Sequence, residues 1–327
     1  MGRSLGGLLL LLTFVLACAA IYNRWAFHHY RALYPPPGRL YRVDGFNMHL
    51  YCTGSGAPTV ILESGVGDDS LKWGKVQPEL SKVTRVCSYD RAGLGWSDPQ
   101  PGIRDSNSIA DQLHGLLAAA GIGGPHVLMG HSIAGLHMRA YVSKYPQTVA
   151  GLVLVDVGTP SQIQQMHQAT EQFIHQLVWI KPLMLLGGGR LAGLCGATPP
   201  PGMEAYAGWY RADNYCNPMY PAIYGRELEG FGQSAREVSR TGLFGDLPIL
   251  IFSRDPDVKS PVVSGGADFQ AELKKLSSRS RRIIARGSTH YIQLDRADLL
   301  NLEVPIFIRQ VRGEAPQPTD YGATIIE

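Results

Sequence analysis

Hydrophobic and polar positions fall into three regimes along the chain. From Leu5 to Tyr22 eighteen residues pass without a charge, with Leu8 to Leu12 at their centre. That length lies between a short membrane span and a long signal-peptide core. Next come short apolar runs separated by helical patterns. Leu40 to Val43 and Met48 to Cys52 alternate around Asp44-Gly45-Phe46, which predicts a hairpin. Thr59 to Leu62, Thr84 to Tyr89, Val127 to Met129, Gly151 to Val155, Ile249 to Phe252 and Arg282 to Ala285 read as further strands. Ile109, Leu113, Leu116, Leu117 and Ala120 recur at helical spacing before Gly121, and a second helix runs to about Tyr145. Fully apolar strands alternating with helices predict an α/β fold: a mainly parallel sheet with helices on both faces. The third regime, between Val155 and Pro248, is too long for a loop and concentrates aromatics (Trp209, Tyr210, Tyr215, Tyr220, Tyr224), so it predicts a helical insertion.

These regimes divide the chain into a signal anchor or signal peptide (1–24), a stalk (25–39), a core (40–157 and 246–312), an insertion (158–245) and a flexible tail (313–327). Pro35-Pro36-Pro37 gives the stalk its polyproline character. Ala17-Cys18-Ala19 offers a small-residue cleavage site, and Val15 to Cys18 forms a poor lipoprotein box. Arg3 and Arg24 flank the apolar run on both sides, so charge sets its orientation weakly. The reading that follows is a membrane-anchored or exported protein with an extracytoplasmic body.

Composition narrows the function classes. The 327 residues are 45% hydrophobic and 17% charged, which argues against a disordered chain. A net charge of +3 over this length is no nucleic-acid footprint. Five scattered cysteines with neither CxxC nor HExxH predict no zinc site, and no cofactor or metal is expected.

The sharpest chemical signal is Met129-Gly130-His131-Ser132-Ile133-Ala134-Gly135. A strand that turns abruptly into a helix lifts its corner side chain above the sheet and needs small neighbours two positions away, here Gly130 and Ala134. On this segment, on Tyr89-Asp90-Arg91-Ala92-Gly93-Leu94-Gly95-Trp96-Ser97, on Glu63-Ser64-Gly65-Val66-Gly67 and on Gly287-Ser288-Thr289-His290, the chain from about Leu40 to Arg312 resembles the α/β-hydrolase superfamily, in particular its esterase-like members with an inserted lid. Two departures stand out: Ala134 replaces the second elbow glycine, and Ser64-Gly65 stands where the family usually has His-Gly.

The resemblance implies Ser132 as nucleophile and His290, on the last loop, as its base. Backbone N–H groups of Val66 and Ile133 would form the oxyanion hole. The third member stays open between Asp257 and Asp255, which follow the strand after Pro248, with Asp156 one strand earlier as a further alternative. Each histidine needs such an acid to fix its tautomer and stabilise the imidazolium. Glu63 lies beside developing negative charge unless it points away, and Asp90 with Arg91 is expected to brace its loop as an ion pair. A serine nucleophile points away from epoxide hydrolases and haloalkane dehalogenases, whose resembling members attack with an aspartate. It implies acyl transfer to water from an ester, thioester or amide, with a peroxidase-type or C–C hydrolase as the alternative chemistry. A non-catalytic ligand-binding protein on the same scaffold is the rival from another class. Phe173, Leu177, Trp179, Leu183, Trp209 and Tyr210 suggest a hydrophobic small-molecule substrate. If the family strand order holds, Cys52 and Cys87 lie on neighbouring strands where a disulfide fits; Cys195 and Cys216 would bridge the insertion, with buried free thiols as the other reading.

Overall fold

Strands that are apolar on both faces must be covered on both, and this requirement organises the molecule. The computed structural model describes residues 2–102, 104–193, 195, 198–211, 217–258 and 268–314. Its strands are β1 (Arg39–Val43), β2 (Phe46–Thr53), β3 (Thr59–Glu63), β4 (Val86–Tyr89), β5 (His126–His131), β6 (Val149–Val155), β7 (Ile249–Arg254) and β8 (Ser280–Ala285). Its helices are α1 (Gly2–Leu33), α2 (Gln77–Leu80), α3 (Ser106–Ala119), α4 (Ala134–Lys144), α5 (Pro160–Leu185), α6 (Gly188–Leu191), α7 (Ala207–Arg211), α8 (Tyr220–Glu229), α9 (Phe231–Ser239), α10 (Ile292–Asp295) and α11 (Ala297–Val311).

The described strands form one sheet in the order β1-β2-β4-β3-β5-β6-β7-β8. β1–β2 and β2–β4 are antiparallel, and every later pairing is parallel. Alternate residues feed opposite layers. Ile61, Leu128, Leu152 and Ile251 pack with Leu113, Leu117 and Leu136 of α3 and α4. Val60, Val127, Val153 and Phe252 pack with Trp73, Leu300 and Val304 on the other side. Each such side chain contributes about 1.5–3 kcal/mol by leaving water. Cys52 and Cys87 are register partners on β2 and β4 and are joined by a disulfide. Cys195 is also disulfide-bonded, whereas Cys216, its expected partner, lies outside the described residues.

The segment between β6 and β7 is helical, α5 to α9. Asp105 caps α3 by accepting from Ser108 N–H, and Thr159 caps α5 by accepting from Gln162 N–H. The expected stalk at 25–39 needs correction. α1 continues to Leu33, Ala26 and Phe27 are buried, and Trp209 Nε1 donates to the Pro35 carbonyl at 2.8 Å. No proline or glycine interrupts Trp25 to Leu33, so the helix continues, and the prolines act only after it has docked against the insertion. Of the expected tail, residues 315–327 lie outside the described part.

Candidate active site

The bend at Ser132 is built from its neighbours' smallness. β5 ends at His131, Ser132 takes φ 59°, and α4 begins at Ala134. A Cβ on Gly130 would lie 3.1 Å from that of Ala134, so strand and helix close only with small residues here. Alanine therefore suffices where a second glycine was expected. Gly135 is needed for a different reason: a side chain there would overlap Val157 in the segment after β6. The serine backbone is fixed by Ser132 N–H donating to Val155 O (3.2 Å) and by Gly158 N–H donating to Ser132 O (3.0 Å).

His290 sits on the loop after β8, and three groups hold that loop. Gly287 (φ 78°) donates its N–H to Asp255 at 2.8 Å, Thr289 N–H donates to Asp295 at 2.8 Å, and His131 Nε2 donates to the His290 carbonyl at 2.9 Å. Burial pushes His131 well below the usual imidazole range, and a charge on His290 would push it further. His131 thus stays neutral and supports the loop without adding a second cation.

The structure brings Ser132, His290 and Asp156 into line. His290 Nε2 lies 3.0 Å from Ser132 Oγ, and His290 Nδ1 lies 2.6 Å from Asp156 Oδ2. With the Nδ1 proton directed at the carboxylate, Nε2 is left to accept from the serine hydroxyl. Asp156 follows β6 directly, at φ 41°, and its other oxygen accepts from Arg254 N–H at 3.3 Å. This corrects the preference for Asp257 or Asp255 as the partner of His290. The Asp257 side chain is 83% exposed and pairs with Arg286 at 3.0 Å. The Asp255 carboxylate is occupied by the Gly287 and Asp257 N–H groups and by Arg286, and the N–H of Gly287, then that of Asp257, hold it below the usual carboxylate range. Asp255 therefore braces the histidine's loop instead of its ring. Counting from Pro248 misled because the turn after β7 directs these side chains to the loop base. The signal for Asp156 was an acid at the carboxyl end of a fully buried strand, which needs a partner.

Beside the serine runs the loop after β3. A Cβ on Gly65 would lie 3.2 Å from Ser132 Cβ, so this backbone passes directly against Ser132. Arg91 donates to the carbonyls of Ser64 (2.5 Å) and Gly65 (2.6 Å). In a planar trans peptide the N–H points opposite the C=O, so fixing the Gly65 carbonyl on Arg91 turns the Val66 N–H away from that side chain. Arg91 is itself held by Glu227 of α8, through Nε–Oε1 at 2.7 Å and Nη2–Oε2 at 3.0 Å. Glu227 Oε2 also accepts from Gly67 N–H at 2.8 Å. Burial opposes the Glu227 charge, yet Arg91 and its hydrogen bonds outweigh burial and pull the carboxyl down to about 2.

Glu63 turns away from the serine, accepting from His137 Nδ1 at 2.6 Å and approaching Arg91 at 3.4 Å. The expected Asp90–Arg91 ion pair is not formed. Asp90 pairs with His49 at 2.7 Å and accepts the N–H groups of Ser70 and Trp96, while Arg91 serves Glu227. Sequence adjacency placed the two together, but successive side chains leave this turn on opposite sides. Among the described residues no group of three or more His, Cys, Asp or Glu side chains is arranged to hold a metal ion.

Comparisons with known proteins agree with this architecture. A model of the α/β hydrolase fold family matches residues 58–191. The chain is 28% identical over 301 residues to an uncharacterized protein of Schizosaccharomyces pombe, covering 81% of this chain and 54% of that one. It spans about half the length of the curated relatives it matches first. Among solved structures, a thermophilic esterase from Thermogutta terrifontis superposes with a TM-score of 0.62 at 19% identity, covering 84% of this chain and 99% of the esterase. The haloalkane dehalogenase DbeA from Bradyrhizobium elkani superposes with a TM-score of 0.65 at 22% identity, covering 84% and 98%. At such identities the likeness is one of fold. With this strand order and a family model matched over residues 58–191, the chain has the α/β-hydrolase fold.

Proposed function

We propose that this protein is a membrane-anchored serine hydrolase that cleaves an ester, thioester or amide through an acyl-enzyme. The observation that carries the reading is the alignment of Ser132 Oγ, the His290 ring and the Asp156 carboxylate at 3.0 and 2.6 Å. His290 takes the serine proton during attack and returns it to the leaving group, while Asp156 stabilises the imidazolium. The N–H groups of Val66 and Ile133 receive the negative charge that develops on the carbonyl oxygen. A serine at the bend, where resembling dehalogenases and epoxide hydrolases use an aspartate, favours acyl transfer over their chemistry. Tyr220 and Tyr224 of α8 crowd Gly67, and Phe173 meets Tyr224 with ring centroids 6.1 Å apart, so the insertion acts as an aromatic lid suited to an apolar acyl group. The α1 segment from Gly6 to Leu33, whose most apolar 18-residue window has a mean hydropathy of 2.0 and is 6% buried, supports the anchor.

A fluorophosphonate probe tests the proposal. Wild-type protein should be labelled and Ser132→Ala should not; an unlabelled wild type favours a ligand-binding protein. Turnover of p-nitrophenyl esters should rise with acyl length over the first members of the series.

A further inference from the structure

The outward face of α5 changes character partway along its length. Before Val178 the exposed residues include Gln164, Gln165, Gln168, Glu171, Gln172 and His175, with Phe173 (40%) the exposed large apolar side chain among them. From Val178 on they are apolar: Val178 is 55% exposed, Trp179 81% and Leu183 59%, followed by Leu191 at 89% on α6. Trp179 and Leu183 stand one turn apart and share a face. Contiguous exposed apolar surface of this kind marks an interaction site.

The apolar stretch leads to the place where α1 meets α5. Asn23 is buried, and its Nδ2 donates to the carbonyls of Met184 (2.8 Å) and Leu185 (3.3 Å), two of the acceptors left over in the last turn of α5. Arg190 Nε donates to Asn23 Oδ1 at 2.8 Å. On α1 the neighbours of Asn23 are also bare: Ile21 is 70% exposed, Tyr22 60% and Trp25 57%. The ridge on the insertion and the apolar surface of α1 therefore flank one junction, and the polar stretch from Gln164 to His175 lies more than two turns before it along α5.

We propose that Trp179, Leu183 and Leu191 form a second membrane contact, seated in the headgroup and acyl boundary of the bilayer that α1 spans. This rests on reading α1 as an anchor. Indole rings favour that boundary, having an apolar body and one polar N–H. Lys181, the single charge between Val178 and Leu186, can extend its ammonium to the headgroups while its stem lies along the ridge. The lid thereby takes up a fixed depth in the membrane instead of hanging in water.

The test uses the full chain in phosphatidylcholine vesicles whose acyl chains carry bromine. Cys18, the free cysteine among the described residues, is replaced (Cys18→Ser), and an environment-sensitive fluorophore is attached in separate variants at Trp179→Cys, Leu183→Cys, Gln168→Cys and Ile21→Cys. The expected result is blue-shifted, strongly quenched emission at 21, 179 and 183, with water-like, unquenched emission at 168. Quenching at 21 but not at 179 or 183 overturns the second contact and leaves the anchor standing. Quenching at 168 equal to that at 179 overturns the boundary drawn along α5. No quenching at any position overturns the anchor, and the ridge with it.

Discussion

Ser132 and Asp156 both hold positive φ, 59° and 41°, although neither is glycine. Such backbone costs on the order of 1–3 kcal/mol per residue and persists only where surrounding contacts impose it. Here the imposing contacts are mutual, since Ser132 N–H binds the Val155 carbonyl just before Asp156 and Asp156 N–H binds Phe252 O at 2.7 Å. The adjacent ends of β5, β6 and β7 thus fix Ser132 and Asp156 together. We predict that Asp156→Asn lowers kcat for a short p-nitrophenyl ester by about 10⁴-fold, as expected when the histidine loses the acid that sets its tautomer. Asp257→Asn, at an exposed position on the loop base, should leave kcat within about twofold, within the range of substitutions away from buried features. Comparable losses from both variants would remove Asp156 from the role proposed for it.

At the scale of elements, the loop after β3 and helix α8 are joined by buried charge. Glu227 is 97% shielded, and Arg91, equally buried, spends its donors on that carboxylate and on the Ser64 and Gly65 carbonyls. Removing one member leaves the other buried without its partner, at a cost of about 3–5 kcal/mol. Glu227→Gln should therefore lower the unfolding midpoint in urea, and kcat should fall further than fluorophosphonate labelling at saturation, because the loop carrying Val66 loses its hold on α8. The pH dependence has a definite sign. The Glu227 carboxyl lies near 2 in the fold against 4.5 for a free glutamate, so its contribution is complete above about pH 4.5 and is lost as pH falls towards 2. Urea midpoints measured between pH 5 and 3 should drop more steeply for the wild type than for Glu227→Gln; parallel curves would mean that Glu227 carries no such linkage. The disulfide between β2 and β4 closes a loop of 35 residues, which on chain entropy corresponds to about 3–4 kcal/mol. A Cys52→Ala/Cys87→Ala variant should lose roughly that much in a denaturant melt, and a wild type with reduced thiols after non-reducing digestion would argue against an exported body.

Across the whole molecule, what the sequence disclosed follows from how local each signal is. The strands and the bend at Ser132 were legible because their residues carry the constraint themselves: apolar on both faces, or small at fixed offsets. His290 was legible through the glycine before it and its place after the final strand. Asp156 competed poorly, because which acid reaches an imidazole 134 positions away depends on side-chain directions at three strand ends. Glu227 was missed altogether, lying 136 positions from Arg91 in a segment whose only visible feature was its aromatics. The stalk was misjudged because three prolines advertised an extended linker, whereas the helix before them had already found a surface to bury Ala26 and Phe27.

That junction alters where the folded body should be taken to begin. A soluble fragment cut after Pro37 would discard the amide that covers the final carbonyls of α5 and the backbone oxygen that receives Trp209. A cut just ahead of Asn23 would keep both while shedding the greasy leader. For anyone preparing a secreted version, the fifteen residues from Asn23 to Pro37 belong with the folded body.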